Sequence, residues 1–325
     1  TIEPNIGIVP VPDARLENLA DVIEKTDEIR PPIVPATVEF VDIAGLVEGA
    51  STGEGLGNKF LSHIREVDLI CHVTRFFVDE DVVHVAGTVD PKRDQGIIET
   101  ELILADLQTL DKQQEPRGVK DSQVQKRWDL IQILKKELNS GKFARSVVTD
   151  EQDRLLVRDL HLLSMKPELF VSNVSEEQLI RGVIPAKAGI QENDLVLISA
   201  KIEAELCALT EQEQNEYLVS LGLTYSALDR LIQVAYTTLG LISFLTVGVK
   251  ESRAWTIVRG SKAPQAAGVI HTDFEKKFIR ADVASLEDFV AHRGWKGAKE
   301  VGKVRSEGRE YVMRDGDVVE FKIGT

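Results

Sequence analysis

Apolar and polar positions divide the chain into short β-rich runs and longer stretches of helical spacing. Asn5-Ile-Gly-Ile-Val-Pro-Val11 reads as an extended segment. Asp13 then caps a helix in which Leu16, Leu19 and Ile23 recur three and four residues apart, and Pro31, Pro32 and Pro35 end it. The next strand is Val38-Glu-Phe-Val41, which stops at Asp42. Beyond a glycine-rich stretch, Phe60, Leu61, Ile64 and Val67 share one helical face, and Leu69-Ile-Cys-His-Val-Thr74 is again a strand. Strands alternating with helices in this way predict βαβ units and a mainly parallel sheet, which binds ligands outside the carboxyl ends of its strands.

From about Gly96 the pattern becomes helical. Ile98, Leu102, Ala105 and Leu107 make one stripe, and Val124, Trp128, Ile131, Leu134 and Leu138 a second, with a polar stretch from Asp111 to Ser122 between them. Two long helices packed as an antiparallel hairpin are expected, inserted into the sheet either as a structural arm or as a binding element. Strand signals return at Glu168-Leu-Phe-Val-Ser-Asn173 and Asp194-Leu-Val-Leu-Ile-Ser-Ala200. Two helices follow, carrying Tyr217, Leu218 and Leu221, then Leu228, Leu231, Ile232 and Ala235. After about Leu241, runs such as Phe244–Gly248, Arg253–Val258 and Val318–Ile323 alternate with Gly, Pro and Asp-Gly punctuation, which predicts a small β-rich domain.

Composition narrows this picture. At 325 residues the chain exceeds one ordinary core, and 43% hydrophobic with 28% charged residues marks it as globular. A net charge of -14 excludes a surface that coats nucleic acid throughout, but leaves room for local patches. Residues 248–325 hold 15 Lys and Arg against 12 Asp and Glu, so the acidic excess lies elsewhere. Lys296, Lys299, Lys303, Arg305 and Arg309 beside Trp295 form either a phosphate-binding patch with a stacking ring or a solvated face around a core tryptophan. Cys71 and Cys207 stand far apart in apolar runs, as free thiols of a reducing compartment do. No apolar run suffices to span a bilayer, and no charged-then-apolar leader opens the chain. A cytoplasmic setting without a membrane partner is expected.

Candidate chemistry gathers at predicted strand ends. A nucleoside triphosphatase needs a phosphate cradle, a γ-phosphate sensor, a base reader and a loop supporting that reader. Asp42-Ile-Ala-Gly45 fits the sensor: the carboxylate holds a water of hydrated Mg²⁺, and a residue without Cβ lets backbone N–H approach a phosphate oxygen. Asp-x-x-Gly by itself is also an ordinary turn. Asn173-Val-Ser-Glu176 fits the reader and Ser199-Ala-Lys201 the supporting loop, each following a strand in the required order.

These segments, with Thr1-Ile-Glu-Pro-Asn5, Phe40-Val-Asp-Ile-Ala-Gly-Leu46, Gly53-Glu-Gly-Leu-Gly-Asn58, Val249-Lys-Glu-Ser-Arg-Ala-Trp255 and Val269-Ile-His-Thr-Asp-Phe-Glu275, closely resemble the Obg-like ATPase (YchF) family of translation-factor-related P-loop proteins. The resemblance covers essentially the whole chain. It implies an α/β, Ras-like P-loop NTPase domain over 1–95 and 168–240. A helical coiled-coil arm would occupy 96–167, and a ubiquitin-like β-grasp (TGS) domain 241–325. It implies a cytoplasmic, slow, Mg²⁺-dependent ATPase acting as a molecular switch. Its partner would be the ribosome or ribosomal RNA, with no DNA. Nucleotide contacts fall on Gly45, Leu46, Asn173, Val174, Glu176, Ser199, Ala200 and Lys201, and metal contacts on Asp42 and Thr1. The family prefers ATP, and Glu176 suggests why: guanine offers two donors to a short Asp, and the longer acid spoils that fit.

Leu46 stands where many Ras-like GTPases carry a water-orienting Gln, and an apolar side chain cannot take that role. The resemblance points to His84 instead; near apolar neighbours it also reads as a structural histidine. The family's Gly-x-x-x-x-Gly-Lys-Ser/Thr loop does not occur within the 325 residues, so a strand, loop and helix carrying it are expected to precede Thr1 in the whole protein. The segment between Gln114 and Ser122 is also shorter than the resemblance implies. Two alternatives stand beside the ATPase: a non-catalytic ribosome- or RNA-binding module, and a conventional GTPase.

Overall fold

The computed structural model describes residues 5–43, 56–77, 90–118, 121–181 and 195–324, with backbone alone for 56–60 and 195. The first part holds β1 (Asn5–Pro10), α1 (Arg15–Asp27), β2 (Ile33–Val34), β3 (Thr37–Asp42), α2 (Leu56–Glu66) and β4 (Ile70–Arg75). A helical stretch follows: α3 (Pro91–Asp111), α4 (Ser122–Asn139), α5 (Ala144–Val147) and α6 (Glu151–Val157). Then come β5 (Glu168–Asn173), α7 (Glu176–Ile180), β6 (Leu195–Ile198), α8 (Ala200–Leu206), α9 (Glu211–Ser220) and α10 (Ala227–Thr238). The last part holds β7 (Leu241–Val247), β8 (Ser252–Val258), α11 (Ala263–Ile270), α12 (Thr272–Lys277) and β9 (Phe278–Ala284). It closes with α13 (Leu286–Ala291), α14 (Trp295–Glu300), β10 (Arg305–Glu307) and β11 (Val318–Ile323).

Two compact units result, Thr1–Gly7 with Val41–Leu231 and Ile8–Phe40 with Ile232–Thr325. β1 and β3 pair with each other.

In the first unit β4, β5 and β6 form a parallel three-stranded sheet in that order. Parallel neighbours need crossovers, and here the crossover from β4 to β5 contains α3 to α6. α3 is apolar on two sides because it is buried on two sides. Its Leu102 and Ala105 pack with Leu61 and Ile64 of α2, while Ile103 and Leu110 join Leu130, Ile131, Leu134 and Leu138 of α4. Each such fully buried Leu or Ile contributes about 1.5–3 kcal/mol. α3 starts at Pro91, ahead of the stripe that begins near Gly96, because its start is set by chemistry outside the stripe. The Asp90 side chain accepts from the Arg93 N–H at 3.1 Å, and proline occupies the first turn.

Asp106 of α3 is fully buried and holds the turn that leads into β5. It accepts from the Leu163 N–H at 2.7 Å, the Ser164 N–H at 2.8 Å and the Ser164 hydroxyl at 2.5 Å. Burial pushes its carboxyl above the usual range, against these bonds. At the start of β5, buried Glu168 meets Arg145 at 2.6 Å and His72 at 3.7 Å.

The second unit is built on a mixed sheet of order β10-β9-β11-β7-β8-β2. β7 and β8 are antiparallel, as are β9 and β11, whereas β11 joins β7 and β2 joins β8 in parallel. Phe244, Ile257, Phe278, Ala281 and Val283 of the sheet share a core with Ala263, Ala266 and Ala267 of α11. α1 packs on β7, β8 and α13, burying Leu16, Leu19 and Ala20. Its N-cap is Ala14, so Asp13 acts from one position earlier, accepting from the Arg15 N–H at 3.1 Å. Arg15 also meets Asp315 at 2.8 Å, and Asp315 accepts from the Ser243 N–H at 2.9 Å, which ties α1 to β7.

Candidate functional site

The register of the parallel sheet decides where chemistry can gather. Arg75 lies opposite Asn173, and Asn173 opposite Ile198, so the carboxyl ends of the three strands are level. The ladder continues one step further, with the Phe76 N–H on the Asn173 carbonyl at 2.9 Å and the Val174 N–H on the Ile198 carbonyl at 2.9 Å. The turns after β5 and β6 therefore emerge side by side.

The two turns are joined. The Ala200 amide N–H donates to Oδ1 of Asn173 at 3.2 Å, and Lys201 Nζ lies 3.6 Å from Oε2 of Glu176. Glu176 is held by its helix: the Ser175 hydroxyl accepts from the Gln178 N–H at 3.3 Å, and Gln178 accepts from the Ser175 N–H at 2.9 Å. This capping box fixes the start of α7, where an acid in the first turn is favoured by the helix dipole. Ser199 is buried at the other turn, and its carbonyl accepts from the Glu203 N–H at 3.0 Å, starting α8.

Asn173, Glu176, Ser199, Ala200 and Lys201 thus lie on one edge, as their order in the sequence predicts. Val174 sits there too, but its side chain is 1% exposed and its N–H is taken by the Ile198 carbonyl. Sequence reading missed the neighbouring Tyr217, whose hydroxyl donates to Glu205. That bond pushes its phenol up to about 12, with smaller contributions from burial and from the charges of Glu205 and Glu176. The Ser175-x-x-Gln178 box was readable as a motif; the Tyr217 contact crosses two helices and has no sequence signal.

Asp42 ends β3 as an exposed carboxylate. Among the described residues no three His, Cys, Asp or Glu side chains cluster as a metal cage would. Thr1, Gly45, Leu46 and His84 lie outside the described residues.

In the second unit most cations of the basic stretch already have partners. Lys299 stands 3.8 Å from both Asp282 and Glu320, Lys303 is 3.3 Å from Asp288, and Arg305 is 3.7 Å from both Glu307 and Asp317. Arg309 donates to the Phe278 carbonyl at 3.0 Å, and Trp295 packs edge-on against Phe289 at 5.2 Å. A phosphate ligand here would have to compete with these contacts.

A parallel α/β sheet with two joined turns on one carboxyl edge is where an open α/β domain binds its ligand, and the domain is of the P-loop GTPase class. A family model described as "50S ribosome-binding GTPase" matches residues 13–115. A second, the C-terminal YchF GTPase model, described as "Protein of unknown function (DUF933)", matches residues 241–324. The chain is 46% identical over 333 residues to the "Ribosome-binding ATPase YchF" of Bacillus subtilis (strain 168), covering 99% of this chain and 90% of the relative. The protein of the same name from Escherichia coli O157:H7 is 42% identical over 337 residues, with 99% and 89% covered. Among solved structures, the "Structure of the Schizosaccharomyces pombe YchF GTPase" superposes with a TM-score of 0.83 at 34% identity, covering 99% of this chain and 88% of that one. The chain belongs to the YchF family.

Proposed function

We propose that this protein is an ATP-hydrolysing molecular switch that works with the ribosome, and that Asn173, Glu176 and Ser199 to Lys201 read the purine. The observation that carries the proposal is the joined edge: Ala200 on Asn173 at 3.2 Å and Glu176 beside Lys201 at 3.6 Å, on level strand ends. With Oδ1 occupied, Asn173 keeps its Nδ2 donors for a purine ring nitrogen, and Glu176 supplies an acceptor for an exocyclic amine. The relatives' name, "Ribosome-binding ATPase YchF", supports both the hydrolysis and the partner. The solved relative is called a GTPase, so base preference is the point to test.

Mg²⁺ is the fitting cofactor. A single exposed carboxylate at a strand end, Asp42, suits an ion that keeps its waters and takes phosphate oxygens, unlike a zinc cage. Asp42 would hold it, with Thr1 as a second protein contact, and the ion would neutralise charge on the terminal phosphates. Gly45 would meet the γ-phosphate through its backbone, next to Leu46, and His84 would orient the attacking water. Order in the Asp42–Asn58 segment would follow the γ-phosphate, giving the switch.

The domain scheme belongs to the same reading: a nucleotide-binding domain over 1–95 and 168–240, a coiled-coil arm over 96–167 and a TGS domain over 241–325. The arm and the TGS domain are the surfaces proposed for ribosomal RNA, in a cytoplasmic protein with no DNA or membrane partner. No described helix is long and apolar enough to cross a membrane. Titration of the full-length protein with ATP and GTP tests the reading. ATP should bind several-fold tighter, and His84→Ala should slow turnover while sparing ATP affinity. Tighter GTP binding overturns the ATP assignment, and ribosome association indifferent to nucleotide favours the non-catalytic alternative.

A further inference from the structure

The ion pair between Glu176 and Lys201 has a consequence for which purine is accepted. A carboxylate has two oxygens, and the Watson–Crick edge of guanine carries two parallel donors, N1–H and the N2 amine, that engage both at once. Adenine carries one donor group there, the N6 amine, beside the N1 acceptor. The Lys201 ammonium pairs with Oε2 of Glu176 at 3.6 Å, an ion pair that biases this oxygen toward the lysine rather than toward a base donor. One oxygen serves adenine, whereas guanine needs both and must displace the lysine.

We infer that Lys201 is a specificity-determining positioning residue, which disfavours guanine by holding one oxygen of Glu176. The inference rests on the edge being the purine site. Both partners are pre-positioned by backbone rather than by burial. Lys201 follows Ala200, whose N–H is fixed on Asn173, and Glu176 is the first helical residue inside the Ser175–Gln178 capping box. The side chains themselves are exposed, 71% for Lys201 and 39% for Glu176. An exposed pair of this kind accounts for roughly a three- to fivefold difference in affinity, and salt screens it.

The test measures dissociation constants of ATP and GTP for the full-length protein and for Lys201→Met and Lys201→Arg. Methionine keeps the apolar stem and removes the charge. Lys201→Met should shift the GTP-to-ATP ratio toward GTP by about three- to fivefold, through tighter GTP binding, which misfolding cannot produce. Lys201→Arg should retain the original ratio. Rising salt should shrink the ATP preference of the parent protein and leave that of Lys201→Met unchanged. An ATP preference that survives Lys201→Met undiminished overturns the role of Lys201 and leaves the purine reading intact. A parent protein that binds neither nucleotide, or binds both equally, overturns the purine reading and this inference with it.

Discussion

Ala200 and Asn173 lie 27 positions apart and are joined by one hydrogen bond, from the Ala200 amide N–H to Asn173 Oδ1 at 3.2 Å. The bond links the turns after β5 and β6 and fixes which end of the Asn173 amide faces outward. Asn173→Ala removes the link and the donors together. The Ala200 N–H is accessible to water, so stability should fall by less than about 1 kcal/mol. Nucleotide affinity should fall by about tenfold or more, the loss of one well-placed contact. Thermal melting beside nucleotide titration separates the two effects.

This pairing also shows how far the chain could be read without coordinates. Apolar runs ending in Asn173 and Ser199 put two turns at strand ends, and parallel pairing of β5 with β6 then made them neighbours. The stripes of α3 and α4 were equally plain, because buried Leu and Ile recur with the helical period. What α1 packs against was not: Leu16, Leu19 and Ile23 announce one buried face, but nothing local says that it lies on β7 and β8, more than 200 positions away. Nor was the Glu176–Lys201 pair legible, since it depends on register and side-chain reach. Asp106 has no signal of its own in the sequence, and only the returning chain supplies its three donors.

Asp106 supplies the second prediction. Asp106→Ala strips the Leu163 N–H, the Ser164 N–H and the Ser164 hydroxyl of their acceptor in a buried place. Leaving buried donors unmatched should cost about 3 kcal/mol. Asp106→Asn keeps the shape and one acceptor oxygen but turns an amide NH2 toward a donor, so its loss should be intermediate. Chemical denaturation should rank them parent, Asn, then Ala.

Acid should weaken the first unit through Glu168. Burial pushes this carboxyl up, but the Arg145 hydrogen bond at 2.6 Å and the nearby positive charge more than offset it, and the net result lies below the usual range. A folded-state pKa below the unfolded value means that the native form binds fewer protons. The stabilisation is therefore present above the ordinary glutamate value of about 4.3 and is lost as pH falls through the lower, folded one. Glu168→Gln should melt lower at neutral pH, because Arg145 loses its charged partner. Its melting temperature should also fall less steeply than the parent's below about pH 4.3. Melting curves across that range, compared as slopes, check the assignment.

The final prediction sets helix propensity against contact at Gly297, inside α14. Alanine is favoured over glycine within a helix by about 1 kcal/mol, so propensity alone predicts a more stable Gly297→Ala protein. A Cβ there would, however, fall 1.9 Å from the His292 carbonyl oxygen, a backbone atom that cannot swing aside as a side chain would. Relieving such overlap shifts the main chain near Gly294, itself at φ 95°. Overpacking of this kind costs about 1–3 kcal/mol or more, so the contact should prevail and the variant should be destabilised by about 1–2 kcal/mol net. Gly308→Ala is the control. No atom lies within 4 Å of its Cβ position, so the substitution should be neutral or slightly stabilising by restricting the unfolded chain. Denaturation midpoints that fall for Gly297→Ala and hold for Gly308→Ala would establish that the close approach, and not the loss of glycine as such, sets the residue at position 297.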